Sequence, residues 1–263
     1  MSDQHISLTE AAAKLVPQVY DDMLKPTIQE SGKFLAIIPQ TLNAMVSGVR
    51  QWNALQEAKL QEFEQVLAVK LKNTDPQKIT LPDTYVSIPA LQAVTYSMDS
   101  DELRNLYANL LAKSMNTDTK DHVHPMFVEI IKQMSPLDAK IFKIIMQRED
   151  NPLIDLVYKR DKDFLTEQTI IMSNLSDIDI ASPQLVSLSI DNLAKQNLIS
   201  IVKTSFCADN ALYDKIMNSE FAKKQSVMHP DKPDGFKFSY NRHTLEVTNI
   251  GKAFYDICMT QFH

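Results

Sequence analysis

The chain has 263 residues, of which 44% are hydrophobic and 23% charged, with a formal net charge of −6. This length is sufficient for two packed units, and no apolar run approaches the roughly 20 residues of a membrane-spanning helix, so the composition excludes an integral membrane protein. The acidic balance also excludes a surface devoted entirely to nucleic acid, although a local basic face is compatible with it.

The few glycines and cysteines limit the function classes further. The four glycines, Gly32, Gly48, Gly235 and Gly251, are too far apart to form a phosphate-cradling loop, and we expect no cofactor. Cys207 and Cys258 are too few for a disulfide framework. We expect Cys258 to be a small buried residue and Cys207 a loop thiol, both free in a reducing compartment.

The N-terminal residues suggest helices in a cytoplasmic protein. The first ten residues lack the positive start and apolar core of a secretory signal. Helical spacing of apolar residues from Leu8 to Met45 is interrupted by three prolines. The apolar segment from Phe34 to Val46 is open to two interpretations, a membrane-touching hairpin and a buried helical pair, and we favour the buried pair.

Residues 49–72 carry the clearest helical pattern in the chain. Large apolar residues recur at spacings of three and four, with charges between them. The pattern predicts one long helix, and packing onto the chain's own helices is favoured over a coiled-coil seam for self-association. The residues of this apolar face are Trp52, Leu60, Phe63, Leu67 and Leu71.

Three further helices are predicted before residue 135. Pro82 and Pro89 frame a short extended piece, and Pro89 then begins a helix over about 89–98. Ser100 or Asp99 caps the next helix, at about 100–115. After a polar loop, a helix over about 125–134 begins at Pro125, with His124 as a buried hydrogen-bonding corner before it.

The C-terminal half mixes helices and strands. Ser135 caps one helix, with Pro136 at its first position and Asp138 near its positive end, and Ser182 caps another. The order is helix, helix, strand, long excursion, strand, helix, which is similar to winged-helix modules. The predicted fold class is therefore mainly α, with a helical bundle over 1–134 and a winged-helix-like α+β module over 135–263 that contains an insertion at about 207–242.

The central stretch, from Ile79 to Phe142, resembles the Abi-alpha family of bacterial proteins associated with abortive infection, a self-sacrificing defence against phage. The family has no settled catalytic residues, so the resemblance implies a biological setting and no mechanism. The matching residues include Pro82, Pro89, Leu103, Asn109, Leu110, Leu111, His124, Pro125, Phe127, Pro136 and Asp138, which we expect to be structural.

A cluster of histidines and aspartates in the polar loop has the residue types of a metal site. Imidazoles and carboxylates are proper zinc ligands, but their spacing supports such a site only in part. A polar loop before a helix explains the aspartates equally well, and we favour it. The candidates are Asp118, Asp121, His122 and His124.

Residues 222–243 form the most basic stretch of this acidic chain. Aromatic residues among cations suit a nucleic-acid or partner contact. The alternative, which we favour, is a surface β-hairpin whose aromatic residues Phe236, Phe238 and Tyr240 face the core. The cations are Lys223, Lys224, Lys232, Lys237 and Arg242.

No motif indicates a reaction. There is no GxSxG elbow, and no spacing selects a nucleophile with its base, so we expect a protein that is not an enzyme and has no small-molecule substrate. The helix after Ser182 carries Lys195 as its only cation, which favours protein contact over DNA. The leading hypothesis is a cytoplasmic interaction protein of abortive infection, binding a protein partner or itself. The alternatives are a DNA-binding regulator and a membrane-perturbing effector acting through Phe34–Val46.

Overall fold

The structure, a computed structural model, describes residues 54–162, 165–230 and 235–260. Within these residues the fold is α+β, with nine α-helices and one four-stranded antiparallel sheet. The described chain divides into two compact units, formed by residues 54–133 with 254–260 and by residues 134–253. The predicted N-terminal helices up to residue 53, including Phe34–Val46, lie outside the described residues.

The first unit is helical. Its elements are α1 (Ala54–Leu71), α2 (Thr84–Val94), α3 (Asp101–Ser114), α4 (Met126–Gln133), two short 3-10 turns and a C-terminal π-helical turn, Tyr255–Met259. The predicted apolar face of the first helix is confirmed where side chains are described, because Phe63, Leu67 and Leu71 are all buried. Ser100 caps α3 as predicted, its hydroxyl accepting a hydrogen bond from the Leu103 main-chain N–H.

The start of the second helix was predicted wrongly. Pro89 lies inside α2, which begins at Thr84 after Asp83. Proline lacks the N–H that would bond the Tyr85 carbonyl, so the helix loses one main-chain hydrogen bond at that point. Burial of apolar residues on both sides of the proline outweighs this loss; the buried residues include Val86, Ala90, Leu91 and Val94.

Within the first unit, a buried amide joins α3 to the C-terminal turn. The Asn109 side chain donates from Nδ2 to the Cys258 carbonyl, at 2.7 Å. On the next turn of α3, the Lys113 ammonium donates to the Thr260 hydroxyl, at 2.8 Å. Asn109 is one of the residues that carry the family resemblance, and its role here is to position the C-terminal turn.

The second unit contains the sheet. Its elements are α5 (Pro136–Met146), β1 (Pro152–Lys162), β2 (Leu165–Leu175), α6 (Pro183–Lys195), β3 (Ile199–Val202), α7 (Asn210–Met217), α8 (Glu220–Met228), β4 (Lys237–Val247) and α9 (Asn249–Phe254). The strands are ordered β2-β1-β4-β3, and each neighbouring pair is antiparallel.

The predicted start of α5 is confirmed in detail. The Ser135 hydroxyl accepts from the Asp138 N–H at 3.1 Å, and the Asp138 carboxylate accepts from the Ser135 N–H at 2.6 Å, with Pro136 in the first turn. The same carboxylate accepts a hydrogen bond from Asn192 of α6, at 2.9 Å. One buried side chain therefore caps α5 and fixes α6 beside it.

Two strands and two helices in this unit, β1, β2, α7 and α8, were not expected. The sequence patterns assigned no element to residues 148–181, where the β1–β2 hairpin lies. Residues 152–158 of β1 are buried without interruption, so the strand shows no polar–apolar alternation. The predicted hairpin at 222–243 is also wrong, because its first part is the helix α8 and its second part belongs to the long strand β4.

The half-buried carboxylate of Asp177 connects the segment after α5 with α7. It lies between β2 and α6 and accepts from the Arg148 guanidinium at 2.6 Å and from the Lys215 ammonium at 2.9 Å. Burial raises the pKa of Asp177, but the hydrogen bonds and charges of Lys215 and Arg148 outweigh it and leave the pKa below its usual value.

We predict that Asp177→Asn lowers the free energy of unfolding by about 1 kcal/mol at neutral pH. A lowered folded-state pKa stabilises the protein fully above the unfolded value of about 3.9, and this stabilisation is lost as pH falls through the lowered pKa. Urea unfolding at pH 7 and at roughly pH 3 checks this. Asp179→Asn, at an exposed position two residues later, is the control and should change little at either pH. A deficit of equal size at both pH values would contradict the assignment.

Gly251 lies where α9 meets the residue before β3, Leu198, and the end of β4. A Cβ atom at this position would lie 2.1 Å from the Leu198 carbonyl oxygen and 2.9 Å from Val247 Cγ1. The nearest obstacle is main chain, which cannot rotate away as a flexible side chain could. Only a residue without a Cβ therefore allows this close approach.

We predict that Gly251→Ala lowers the free energy of unfolding by about 3 kcal/mol, because the added methyl forces backbone atoms apart. Urea denaturation checks this, with Lys252→Ala at the exposed neighbouring position as the matched control. The control should change stability by less than about 0.5 kcal/mol. Equal stability of both variants would show that α9 can shift at no cost.

Candidate binding groove

A groove of about 910 Å³ lies on the second unit. Its lining is mostly polar, with three cations, two carboxamides and two hydroxyl side chains beside a few apolar or aromatic ones. All the lining residues belong to the sheet strands or to the loop that follows β3. They are Asp155, Lys159, Gln168, Ile170, Lys203, Thr204, Phe206, Ser239, Tyr240, Asn241, Arg242 and His243.

The groove follows an open edge of the sheet. β3 pairs only with Thr244–Val247 of β4, whereas β1 pairs with β4 from Lys237 to Thr244. Among the described residues, the segment 237–243 of β4 thus has a neighbouring strand on one side only. Five consecutive residues of this segment, 239–243, line the groove. Successive side chains of a strand point to opposite faces of the sheet, so these five residues present side chains to both faces. All five can line one cavity only where that cavity reaches the edge of the strand.

Three cations give the groove its charge. Lys203, which follows β3 directly, is 57% exposed, and its Nζ lies 3.4 Å from the Asp155 carboxylate. Lys159 of β1 donates from Nζ to the Tyr240 carbonyl, at 3.1 Å. Arg242 is the third. Asp155 is the sole acidic residue among the described residues that line the groove, so this lining carries net positive charge on a chain that is acidic overall.

Arg242 is held in place by aromatic rings. Its guanidinium carbon lies 4.6 Å from the Phe206 ring centroid and 5.7 Å from that of Tyr213. The guanidinium also donates to the Asn210 carboxamide oxygen, at 2.5 Å. Cation–π contacts of this kind fix the side chain without neutralising its charge. Arg242 therefore presents a pre-positioned positive charge beside the groove.

A buried carboxylate organises the floor of the groove. Asp155 is 1% exposed, and its carboxylate lies 3.0 Å from His243 Nε2. The other carboxylate oxygen accepts from the Asn174 main-chain N–H, at 3.0 Å, where Asn174 adopts a left-handed φ of 54°. With Lys203 included, Asp155 contacts groups from β2, from β4 and from the residue after β3.

One nitrogen of the His243 ring, Nδ1, makes no hydrogen bond among the described residues. His243 is 5% exposed and lines the groove, and its Nδ1 is buried without a hydrogen-bond partner among the described residues. Buried polar atoms of this kind are uncommon in native structures. Nδ1 therefore remains an unsatisfied polar atom among the described residues.

Beneath β4, Tyr213 supports the same segment. Its hydroxyl donates to the His243 carbonyl at 2.8 Å and accepts from the Cys207 N–H at 2.8 Å. Burial and a hydrogen bond with the Cys207 side chain raise the pKa of Tyr213 to about 12, although the Cys207 main-chain hydrogen bond acts in the opposite direction, so the phenol remains a donor at neutral pH. Cys207 is a free thiol in the loop between β3 and α7, as expected, and it is buried there.

The predicted metal candidates are not brought together. Asp118 forms an ion pair with Lys78 at 2.7 Å. His124 is exposed, not buried as predicted, because Val123 takes the inward position; its Nδ1 accepts from the Met126 N–H at 3.1 Å. Among the described residues, no group of three or more His, Cys, Asp or Glu side chains is placed to hold a metal ion.

The predicted basic residues separate in the structure. Lys223 and Lys224 are exposed on α8, Lys237 is exposed at the start of β4, and Lys232 lies outside the described residues. Arg242 is the member of this set that lines the groove. Four further lining residues were not predicted, because they lie on β1, on β2 and directly after β3 and form no local motif; they are Asp155, Lys159, Gln168 and Lys203.

The aromatic residues of this stretch also divide. Phe238 and Tyr240 pack against a buried cluster that includes Ile154, Leu156 and Tyr213. Phe236 lies under the Arg160 guanidinium, with 4.4 Å between the guanidinium carbon and the ring centroid. The expectation that aromatics in this segment face the core is thus met by Phe238 and Tyr240, although they do so from a strand in a four-stranded sheet.

The helix after Ser182 exposes two leucines on its outer face. Ser182 caps α6 as predicted, and Val186, Ile190 and Leu193 are buried. Leu185 and Leu188 are 50% and 63% exposed. Lys195, in the last turn, is the only cation of this helix. The exposed face of α6 therefore lacks the row of cations that DNA-reading helices present.

The comparisons with known proteins place the chain in a family. The sequence model of the abortive infection alpha family matches residues 55–258, and the chain belongs to this family. No curated protein and no solved structure matches it. No described helix has the length and apolar character needed to cross a membrane.

We predict that Asp155→Ala lowers the free energy of unfolding by about 3 kcal/mol, because it leaves His243 Nε2 and the Asn174 N–H buried without their shared acceptor. Asp161→Ala, an exposed position on the same strand, is the control and should cost less than about 0.5 kcal/mol. Urea unfolding of both variants measures the difference. Similar losses for both variants would rule out an organising role for the buried carboxylate.

Proposed function

We propose that this chain acts in abortive-infection defence as a non-catalytic cytoplasmic protein that binds a protein partner through the groove of its second unit. Membership of the abortive infection alpha family supports the setting. The observation that carries the binding role is the groove itself, an open and positively charged surface on a rigid sheet. Binding residues placed on strands are held more firmly than residues on loops.

The chemistry of the groove supports binding over catalysis. Asp155 and His243 have the geometry of a base and its orienting carboxylate, but covalent catalysis by such a pair requires a nucleophilic side chain within hydrogen-bond reach of the ring. Among the described residues, no hydroxyl or thiol side chain donates to the His243 ring. The pair is also the centre of a structural network, since the Asp155 carboxylate contacts both Asn174 and Lys203.

A DNA-binding role is the second candidate, because three cations along one groove are also suited to phosphates. It would rest on the similarity of the second unit to winged-helix modules, which stays a prediction. The exposed leucines of α6, Leu185 and Leu188, together with Lys195 as the only cation of this helix, favour a protein partner. A steep loss of affinity for duplex DNA with rising salt would favour DNA instead.

Phage protection tests the proposal. Cells expressing the wild-type chain are challenged with a panel of phages, and a phage that it restricts is then used with two variants of equal charge change. Lys203→Gln with Arg242→Gln alters the groove, whereas Lys223→Gln with Lys224→Gln alters the exposed face of α8. Urea unfolding confirms that each variant is folded.

We expect the groove variant to lose roughly tenfold or more of its protection in plating efficiency, because two of three groove charges are gone. The α8 variant should retain protection. If protection is retained by the folded groove variant, or lost in both, the groove does not carry the function. Duplex DNA binding measured by fluorescence anisotropy at low salt decides between the two candidate partners.

A further inference from the structure

We infer that the groove binds an extended acidic segment of a partner protein, which adds as a fifth strand to the open edge of β4. This inference rests on the proposed function and names its partner chemistry and its binding mode. It uses two independent features of the second unit, the unpaired strand edge and the positive charge beside it.

The edge supplies the main-chain part of the interaction. Over residues 237–243, β4 has β1 on one side and, among the described residues, no strand on the other. An unpaired edge presents alternating N–H and C=O groups, which an extended peptide can pair with regardless of its side chains. A nucleic acid has no comparable row of alternating donors and acceptors. The edge therefore favours a peptide over a nucleic acid.

The side chains beside the edge supply the specificity. Lys203 and Arg242 contribute positive charge, and Asn241 adds a carboxamide, all within the groove lining. Carboxylates of a bound segment match these groups in charge and in hydrogen-bonding capacity.

The same charge disfavours a second copy of this chain as the occupant. Pairing of two β4 edges would bring Lys203 and Arg242 of both copies into one interface. Like charges that face each other across an interface destabilise it. An acidic segment from a different protein meets no such repulsion.

Fluorescence anisotropy with synthetic peptides tests the inference on the full chain. The probe is a fluorescein-labelled peptide of alternating Glu and Val, as long as the open edge, and a Lys-Val peptide is the charge-reversed control. Two further Glu-Val peptides carry backbone N-methyl groups, one on every Glu and the other on every Val. A single-stranded oligothymidylate of similar length represents phosphate chemistry.

Strand addition predicts unequal effects of the two methylated peptides. In an added strand, every second main-chain N–H group points at β4, so these groups belong either to the Glu residues or to the Val residues. Only one of these two arrangements also turns the glutamate side chains toward the cations. We expect one methylated peptide to lose roughly a hundredfold in affinity and the other to bind as the parent does. Lys203→Gln and Arg242→Gln should each weaken the parent peptide roughly tenfold, and Lys224→Gln on α8 should not.

Three results would overturn the inference. Equal binding of both methylated peptides would show attraction by charge alone, tighter binding of the oligothymidylate would show a phosphate site, and no binding of any acidic peptide by the folded protein would exclude this partner chemistry. Each of these leaves the proposed function to be decided separately by the phage assay. If groove variants lose protection while no peptide binds, the groove functions with a partner of another kind.

Discussion

The second unit depends on one buried carboxylate. Asp155 lies in the middle of β1, accepts from the Asn174 main chain at the end of β2, and contacts His243 of β4 and Lys203 after β3. A charge removed from water is costly unless donors surround it, and here the donors come from every other strand of the sheet or its immediate end. The network therefore fixes the ends of the strands relative to each other, and with them the walls of the groove.

Local signals in the sequence predicted the parts of the fold that are local in origin. The hydroxyl caps at Ser100, Ser135 and Ser182 were correctly placed because a cap is a contact between residues three apart. The apolar face of α1 was predictable because helical period is visible in sequence. By contrast, the start of α2 was wrongly predicted at Pro89, since burial of the residues around the proline decides where the helix begins.

The groove could not be predicted, for a physical reason. Asp155, Lys203 and His243 are separated by dozens of residues and meet through strand pairing alone. The β1–β2 hairpin that supports them was itself invisible, because a strand buried on both faces has no alternation. Arg242 was selected for its charge, whereas its stacking on Phe206 depends on a loop that crosses from β3 to α7.

The shortness of β3 has a consequence for how the protein behaves at high concentration. An edge that is kept available to one molecule is available in principle to any exposed strand, which is the usual origin of edge-to-edge aggregation. Repulsion between the charged side chains along the edge opposes such pairing. Dissolved ions screen this repulsion, since the Debye length falls to about 3 Å in 1 M salt. High salt concentrations should thus promote self-assembly of this chain, whereas they usually weaken complexes held together by opposite charges. Buffers of low ionic strength are therefore the better choice for purification and storage.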